Sequence, residues 1–239
     1  MKRLFFCFLF AYSISVSAQI DSLFRDAGNT AQKAIRGSDR YNYKLGREAI
    51  QKYQLIIESS YKAVALYCIG EVYYEMGQND SNFIFTAESV YFDSAEVYYS
   101  KAKAIGFKGI QELYYKLAFT QIWLKKYDDA KINLVLAFQL DTTRKFKDHV
   151  LIKMGYNLYM LEYTVELANE IEPVESKRKA RSQLCLDFYL LAYEFYPGNG
   201  KVAKSIYYWS KQAGNTIIQE KFRKILKEEY DITANDEEE

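Results

Sequence analysis

Leu66-Tyr67-Cys68-Ile69-Gly70-Glu71-Val72-Tyr73, followed further on by Ala95-Glu96-Val97-Tyr98-Tyr99, is the part of the sequence that decides the fold. Leu66, Ile69, Gly70 and Tyr73 recur at steps of three and four, the spacing of one face of an α-helix. Ala95 and Tyr99 stand one helical turn apart. In such a pair the small residue faces a neighbouring backbone while the large one fills the gap beside it, which lets two helices pack closely. The alanine recurs along the chain at Ala49, Ala95, Ala130, Ala168 and Ala203, the last four separated by 35, 38 and 35 positions. Tyr53, Tyr99 and Tyr207 follow three of them by four residues, and Leu134 follows a fourth.

The upstream half of the unit recurs too. Tyr114-x-x-Leu117-Ala118-x-x-Gln121 precedes Tyr127-Asp128-Asp129-Ala130, and Leu151-x-x-Met154-Gly155-x-x-Leu158 opens a third copy. These stretches resemble the tetratricopeptide repeat (TPR), whose pattern is W-x2-L-G-x2-Y, then A-x3-F, then P, over about 34 residues. The second copy keeps that length from Gln111 to Arg144. The signature tryptophan is replaced by Leu66, Tyr114 or Leu151. Gln78 to Tyr91 intervenes in the first copy, where the family has a short turn, and its helix-compatible part, Asn82 to Glu88, is expected to extend the following helix backwards. A fourth pair is expected over Ser182 to Tyr196 and Lys201 to Ala213, divided by Pro197-Gly198-Asn199-Gly200. A leading pair is expected over Ile20 to Ser60, and a capping helix over Asn215 to Asp231. The resemblance therefore implies an all-α fold, a TPR-like α-solenoid of about four to five antiparallel helix pairs closed by a C-terminal capping helix.

The first residues carry an address. Lys2 and Arg3 form a basic start, Leu4 to Val16 is apolar, and Val16-Ser17-Ala18 supplies the small residues of a cleavage site. The apolar run is shorter than the about 20 residues a bilayer span needs, so residues 1–18 read as a signal peptide of an exported protein, periplasmic or secreted. Residues 19–231 then form the repeat domain and 232–239 an acidic tail expected to be disordered. Removing Lys2 and Arg3, and no acid, takes the formal charge from +1 to −1. That balance offers no electrostatic footprint for nucleic acid and little attraction to anionic lipid. Cys68 and Cys185 remain after cleavage; both lie in apolar helical context and read as free thiols.

In the TPR family the first helix of each pair lines the inner groove. Mapping this chain onto it places Tyr67, Glu71 and Tyr74 there from the first copy. The second contributes Tyr115, Phe119, Ile122 and Trp123, and the third contributes Ile152, Tyr156 and Tyr159. An open groove of that kind would take a peptide or a partner helix of another protein, with tyrosines bonding its backbone. Sugar rings would stack by the same logic, which makes a glycan-binding envelope protein the alternative. The same rings also suit packing on adjacent helices, and the sequence leaves both readings open.

Little points to catalysis. His149 is the sole histidine, no Cys/His cluster has zinc spacing, and Gly106-Phe107-Lys108-Gly109 lacks the Lys-Ser/Thr of a phosphate loop. Glu71 and Glu75, one turn apart, read as ordinary helical glutamates, and Lys177-Arg178-Lys179-Ala180-Arg181 as a solvated helix start. No cofactor or metal is expected, and the role expected is that of an interaction or scaffold module. Sequencing the N-terminus of the exported chain should return Gln19 as its first residue; recovery of Met1 would refute the cleavage reading.

Overall fold

The computed structural model describes residues 2–36, 41–80, 90–142, 150, 154 and 175–232, and all regular structure among them is helical. The helices are α1 (Lys2–Arg36), α2 (Tyr43–Gln54), α3 (Lys62–Gln78), α4 (Val90–Ala104), α5 (Ile110–Trp123), α6 (Tyr127–Gln139), α7 (Glu175–Phe195), α8 (Gly200–Ala213) and α9 (Thr216–Tyr230). The chain divides into two compact units, the first Met1–Asp80 with Ser89–Leu113 and the second Ser81–Glu88 with Tyr114–Glu239. Among the described residues, no helix is long and apolar enough to cross a membrane.

Small residues set the packing of the first unit. Helix α1 presents the buried Ala27, Thr30 and Ala34 on one face, and α2 answers with Gly46, Ala49, Ile50 and Tyr53. Lys52 of α2 reaches back to α1, 2.8 Å from Asp26 and donating to Thr30 Oγ1 at 2.9 Å. This clasp lies near solvent, so it orients the pair more than it stabilises it. The leading pair expected over Ile20 to Ser60 is thus present as α1 packed on α2, with Ala49 and Tyr53 both buried.

Helices α3 and α4 approach closely. A Cβ built on Gly70 would lie 2.6 Å from Cδ1 of Tyr99, and one on Gly77 would lie 2.9 Å from Cε1 of Phe92. Both rings therefore rest on bare helix backbone. The contacts are seven residues apart on each helix and run in opposite order, as an antiparallel pair requires. Ala95 and Ala102 of α4 are buried without exposure, while Ala65 of α3 belongs to the core shared with α1 and α2. Burying two such rings removes roughly 150–250 Å² each from water. That term outweighs the about 1 kcal/mol that each mid-helix glycine costs relative to alanine. The described part of α4 begins at Val90, and the backward extension expected over Asn82 to Glu88 lies outside the described residues.

Turns are closed by local chemistry. After α4, Gly106 is left-handed at φ 80°, with its N–H donating to Lys103 and that of Phe107 to Ala102. After α8, Gly214 repeats the arrangement at φ 71°. Both are C-terminal caps in which glycine takes the left-handed position without a side-chain penalty.

In the second unit α5 and α6 bury Leu117, Ala118, Ala130, Leu134 and Ala137. Asn133 donates to Gln121 across them at 2.8 Å, giving two buried amides each other as partners. Helix α7 packs on α8 and α8 on α9. The expected fourth pair and capping helix are therefore found as helices, with α7 starting at Glu175, seven residues before the expected Ser182. Asn199 caps α8 by accepting from the N–H groups of Lys201 and Val202, and Asn215 caps α9 by accepting from Ile218. Helix α9 turns Phe222 and Leu226 inward and Lys221, Lys224 and Lys227 outward, the polar outer face expected of an end helix. Of the third copy, only Val150 and Met154 are described, and both are buried; Leu151, Gly155 and Leu158, like Ala168 and the acidic tail, lie outside the described residues.

The seat of Tyr99 on Gly70 yields a test by sign reversal. Gly70→Ala should lower the unfolding free energy by about 1–2 kcal/mol, overpacking exceeding the gain in helix propensity. In a Tyr99→Ala background the same substitution should raise it by about 0.5–1 kcal/mol. Denaturant titration of the four chains reads the cycle, and additive effects would contradict the seat.

Candidate functional site

Tyr67, Glu71 and Tyr74 follow one another at four and three residues along α3 and share a face. That face meets α4. The phenol of Tyr99, wholly buried, donates a short hydrogen bond to the Glu71 carboxylate. Tyr67 stacks on Phe107 with ring centroids 4.5 Å apart and tilts against Tyr99 at 5.7 Å. Burial first, and then the charges of Glu71 and Glu112, push the Tyr67 hydroxyl far above its ordinary value. Tyr74 is fully enclosed, its ring edge-on to Phe92 at 5.7 Å and its oxygen accepting from Gln78 at 3.1 Å. Only Tyr67 and Glu71 of these three keep a partial opening to solvent.

The remaining described groove candidates are interior. Tyr115, Phe119, Ile122 and Trp123 of α5 are all buried. Tyr115 stacks along the helix on Phe119 at 6.3 Å and meets Phe138 of α6 at 6.1 Å. Phe138 continues to Tyr196 at 5.4 Å, whose hydroxyl donates to Asp141 at 2.9 Å. The physical reason is the same in both units. Large rings placed between the motif positions find neighbouring helices to bury against, and solvent loses them. Tyr156 and Tyr159, with Ile152 and His149, lie outside the described residues.

A different aromatic surface is present in the first unit. Helix α4 buries Phe92, Ala95, Tyr99 and Ala102, yet carries a second line of apolar residues beside them, with Asp93 and Ser94 between its two ends. Val90 is 72% exposed and Val97 48% exposed, while Tyr91 and Tyr98, each the next residue, are half-buried. The two pairs are seven residues apart and so stand on one side of the helix. Tyr91 approaches Tyr43 of α2 at 5.9 Å, and Tyr98 stacks on Tyr73 of α3 at 5.6 Å with the Lys101 ammonium 5.1 Å from its centroid. Tyr43 is held by a hydrogen bond to the Met76 carbonyl at 3.2 Å; burial and the Asp80 charge push its hydroxyl up to about 12. Four tyrosines from three helices thus rim two exposed valines.

Tyr73 holds a motif position in the sequence, whereas the motif assigns no role to Tyr43, Tyr91 or Tyr98. The available signal was the doublet Val90-Tyr91 repeated as Val97-Tyr98, one position ahead of the buried stripe. Among the described residues, no group of three His, Cys, Asp or Glu side chains could hold a metal ion. No protein-family model matches the chain, and no curated protein matches its sequence.

Cys68 and Cys185 are free thiols, the second buried and the first half-buried beside this seam. Burial, reinforced by the Glu71 charge and opposed by a hydrogen bond with Tyr53, pushes the Cys68 thiol up to about 11. Since the thiolate is the nucleophile, alkylation of Cys68 at pH 8 should run about 100-fold slower in the folded chain than in urea. Peptide mapping after timed iodoacetamide exposure measures this, and equal rates would contradict the placement.

Proposed function

We propose that this protein is an exported, TPR-like interaction module that binds a segment of a partner protein and performs no chemistry of its own. The contact surface is the ridge of α4 formed by Val90, Tyr91, Val97 and Tyr98, rimmed by Tyr43 and Tyr73. The exposed second stripe on α4 carries this reading. A helix that has already buried one apolar face gains nothing within the chain by leaving Val90 and Val97 in water. A partner covering them recovers the hydrophobic term, roughly 25 cal/mol per Å² of apolar surface removed from water. The flanking tyrosines suit such a contact, since each offers a large ring and a hydroxyl with few rotatable bonds to immobilise.

The TPR-like assignment is supported by sequence-adjacent helices packed in pairs and by the alanine-x3-tyrosine seats. Export to the periplasm or beyond is supported by Lys2-Arg3, the apolar run and Val16-Ser17-Ala18. The burial of Tyr115, Phe119, Ile122 and Trp123 favours the α4 ridge over the inner face of α5 as the contact surface. A half-exposed tyrosine row also suits a sugar ring. Tyr98, however, already carries Tyr73 stacked on it and Lys101 over its ring, and a peptide needs only its edge and hydroxyl.

Affinity capture from envelope extracts tests the proposal. A partner retained by the wild-type chain should be lost, by about tenfold or more, with Val97→Asp or Tyr98→Ala. Ile132→Asp, at an exposed position on α6, should retain it. Retention by all three variants, with helical circular dichroism unchanged, would remove the α4 ridge from the account. Heat on titration with oligosaccharides but none with partner peptide would favour the glycan reading instead.

A further inference from the structure

The outward face of α4 is centred on Val97. Helix α4 buries Phe92, Ala95, Tyr99 and Ala102, and at about 100° per residue Val97 stands roughly opposite their mean direction. Within about 60° of Val97 on either side lie Val90, Asp93, Ser94, Ser100, Lys101 and Ala104. All of them are exposed except Ser94, which is half-buried. Counted outward from Val97, the six form three matched pairs. Val90 and Ala104 stand seven residues before and after it, Asp93 and Lys101 four, and Ser94 and Ser100 three. Apolar answers apolar, acid answers base, and hydroxyl answers hydroxyl. An acid early in a helix and a base late in it also suit the helix dipole. The dipole, however, makes no demand that both flank one exposed valine at equal steps.

A row with that symmetry is complementary to itself when turned end for end. In a two-fold contact residue i of one copy meets j of the other, and j meets i. Two copies of α4 laid antiparallel, with the axis passing between their Val97 side chains, therefore set Val90 level with Ala104. They also set Asp93 of each copy level with Lys101 of the other, so the ion pair forms twice. Ser94, Ser100 and Ala104 are small, which lets the helices reach the ordinary packing distance of about 8–10 Å. The Lys101 ammonium lies 5.1 Å from the centroid of Tyr98 on its own helix. A ring and a carboxylate can share one ammonium, which carries three N–H donors. Tyr91 and Tyr98 stand on one flank of this face and widen it.

We infer that the partner of the α4 ridge is a second copy of this chain, docked antiparallel with Val97 at the two-fold axis and Asp93 of each copy against Lys101 of the other. The inference rests on the reading of the ridge as the contact surface, and it names the occupant. Burial of Val90 and Val97, both left exposed in the single chain, supplies the attraction. Ion pairs at the edge of such a contact contribute little to its strength. They fix its direction and register instead, since a parallel or shifted pairing sets like charges together. Helix α4 has 15 residues, a length of about 22 Å. One helix pair of that length lies at the small end of specific interfaces. The dimer therefore forms and dissociates over roughly the micromolar range.

Sedimentation equilibrium of the purified protein tests the docking and should show a monomer–dimer equilibrium over that range. Asp93→Lys, which sets lysine against lysine, should weaken the dimer about tenfold, and Lys101→Asp should do the same. The double swap, Asp93→Lys with Lys101→Asp, should restore most of the affinity because opposite charges again face each other. Mixing the two single variants should give a heterodimer about tenfold tighter than either homodimer, since both ion pairs re-form between unlike copies. Both positions are exposed, and unchanged helical circular dichroism serves as the folding control. A protein that stays monomeric up to about 1 mM, a dimer indifferent to the charge swaps, or single variants without preference for each other would each overturn the inference. Capture of a different protein through Val97 and Tyr98, with the chain itself monomeric, would overturn the second copy as partner and leave the α4 ridge standing. Absence of both the dimer and any captured partner would remove the ridge as well.

Discussion

Tyr99 resting on Gly70 is the contact on which the first unit depends. Helix axes ordinarily pack about 8–10 Å apart, depending on the side chains between them. A glycine under the ring moves that distance toward its lower limit. Phe92 on Gly77 repeats the seat one heptad away, so the two contacts fix both the spacing and the register of α3 against α4. Helix α2 also packs on α3. From Ala63 to Gln78 no residue of α3 is more than half-exposed. The enclosure of Tyr74 and the narrow opening left to Tyr67 and Glu71 follow from that position. So does the displacement of the exposed aromatic surface to the flank of α4.

Close helix seams filled with tyrosine bring hydroxyls into the interior, and each must find a partner or cost about 1–3 kcal/mol. The chain meets this locally. Tyr99 donates to Glu71, Tyr43 to the Met76 carbonyl, and Tyr196 to Asp141, while Tyr74 accepts from Gln78. The same device explains the heavy use of tyrosine over phenylalanine, 23 against 15. A phenol fills the space of a ring and also bonds to a carbonyl or carboxylate of its own or the adjoining helix. Glu71 illustrates the consequence for function. A helical carboxylate that resembles a catalytic candidate in the sequence serves here as the acceptor for a buried phenol.

After this packing the flank of α4 keeps Val90 and Val97 exposed. The α4 ridge is apolar with a hydroxyl rim and suits a partner that buries side chains. Helix α9, with lysines outward and Phe222 and Leu226 inward, ends the second unit with a polar face and presents no comparable apolar stripe.

The sequence by itself determined what local chemistry controls. Asn199 and Asn215 announce helix starts, Pro197 to Gly200 separates two helices, and the alanine-x3-tyrosine spacing marks seams, because capping and helical periodicity act within a few residues. The glycine and tyrosine of the deciding contact were legible as motif positions, though not as partners. What the sequence did not contain was which rings stay in water. Tyr73 and Tyr74 are adjacent and about 100° apart around α3. Their roles came out reversed from the family pattern, with Tyr73 half-exposed and Tyr74 enclosed. That choice belongs to tertiary structure. Exposure of a residue on a central helix is set by neighbours on both sides, and α2, α4 and α3 meet only once the chain has folded.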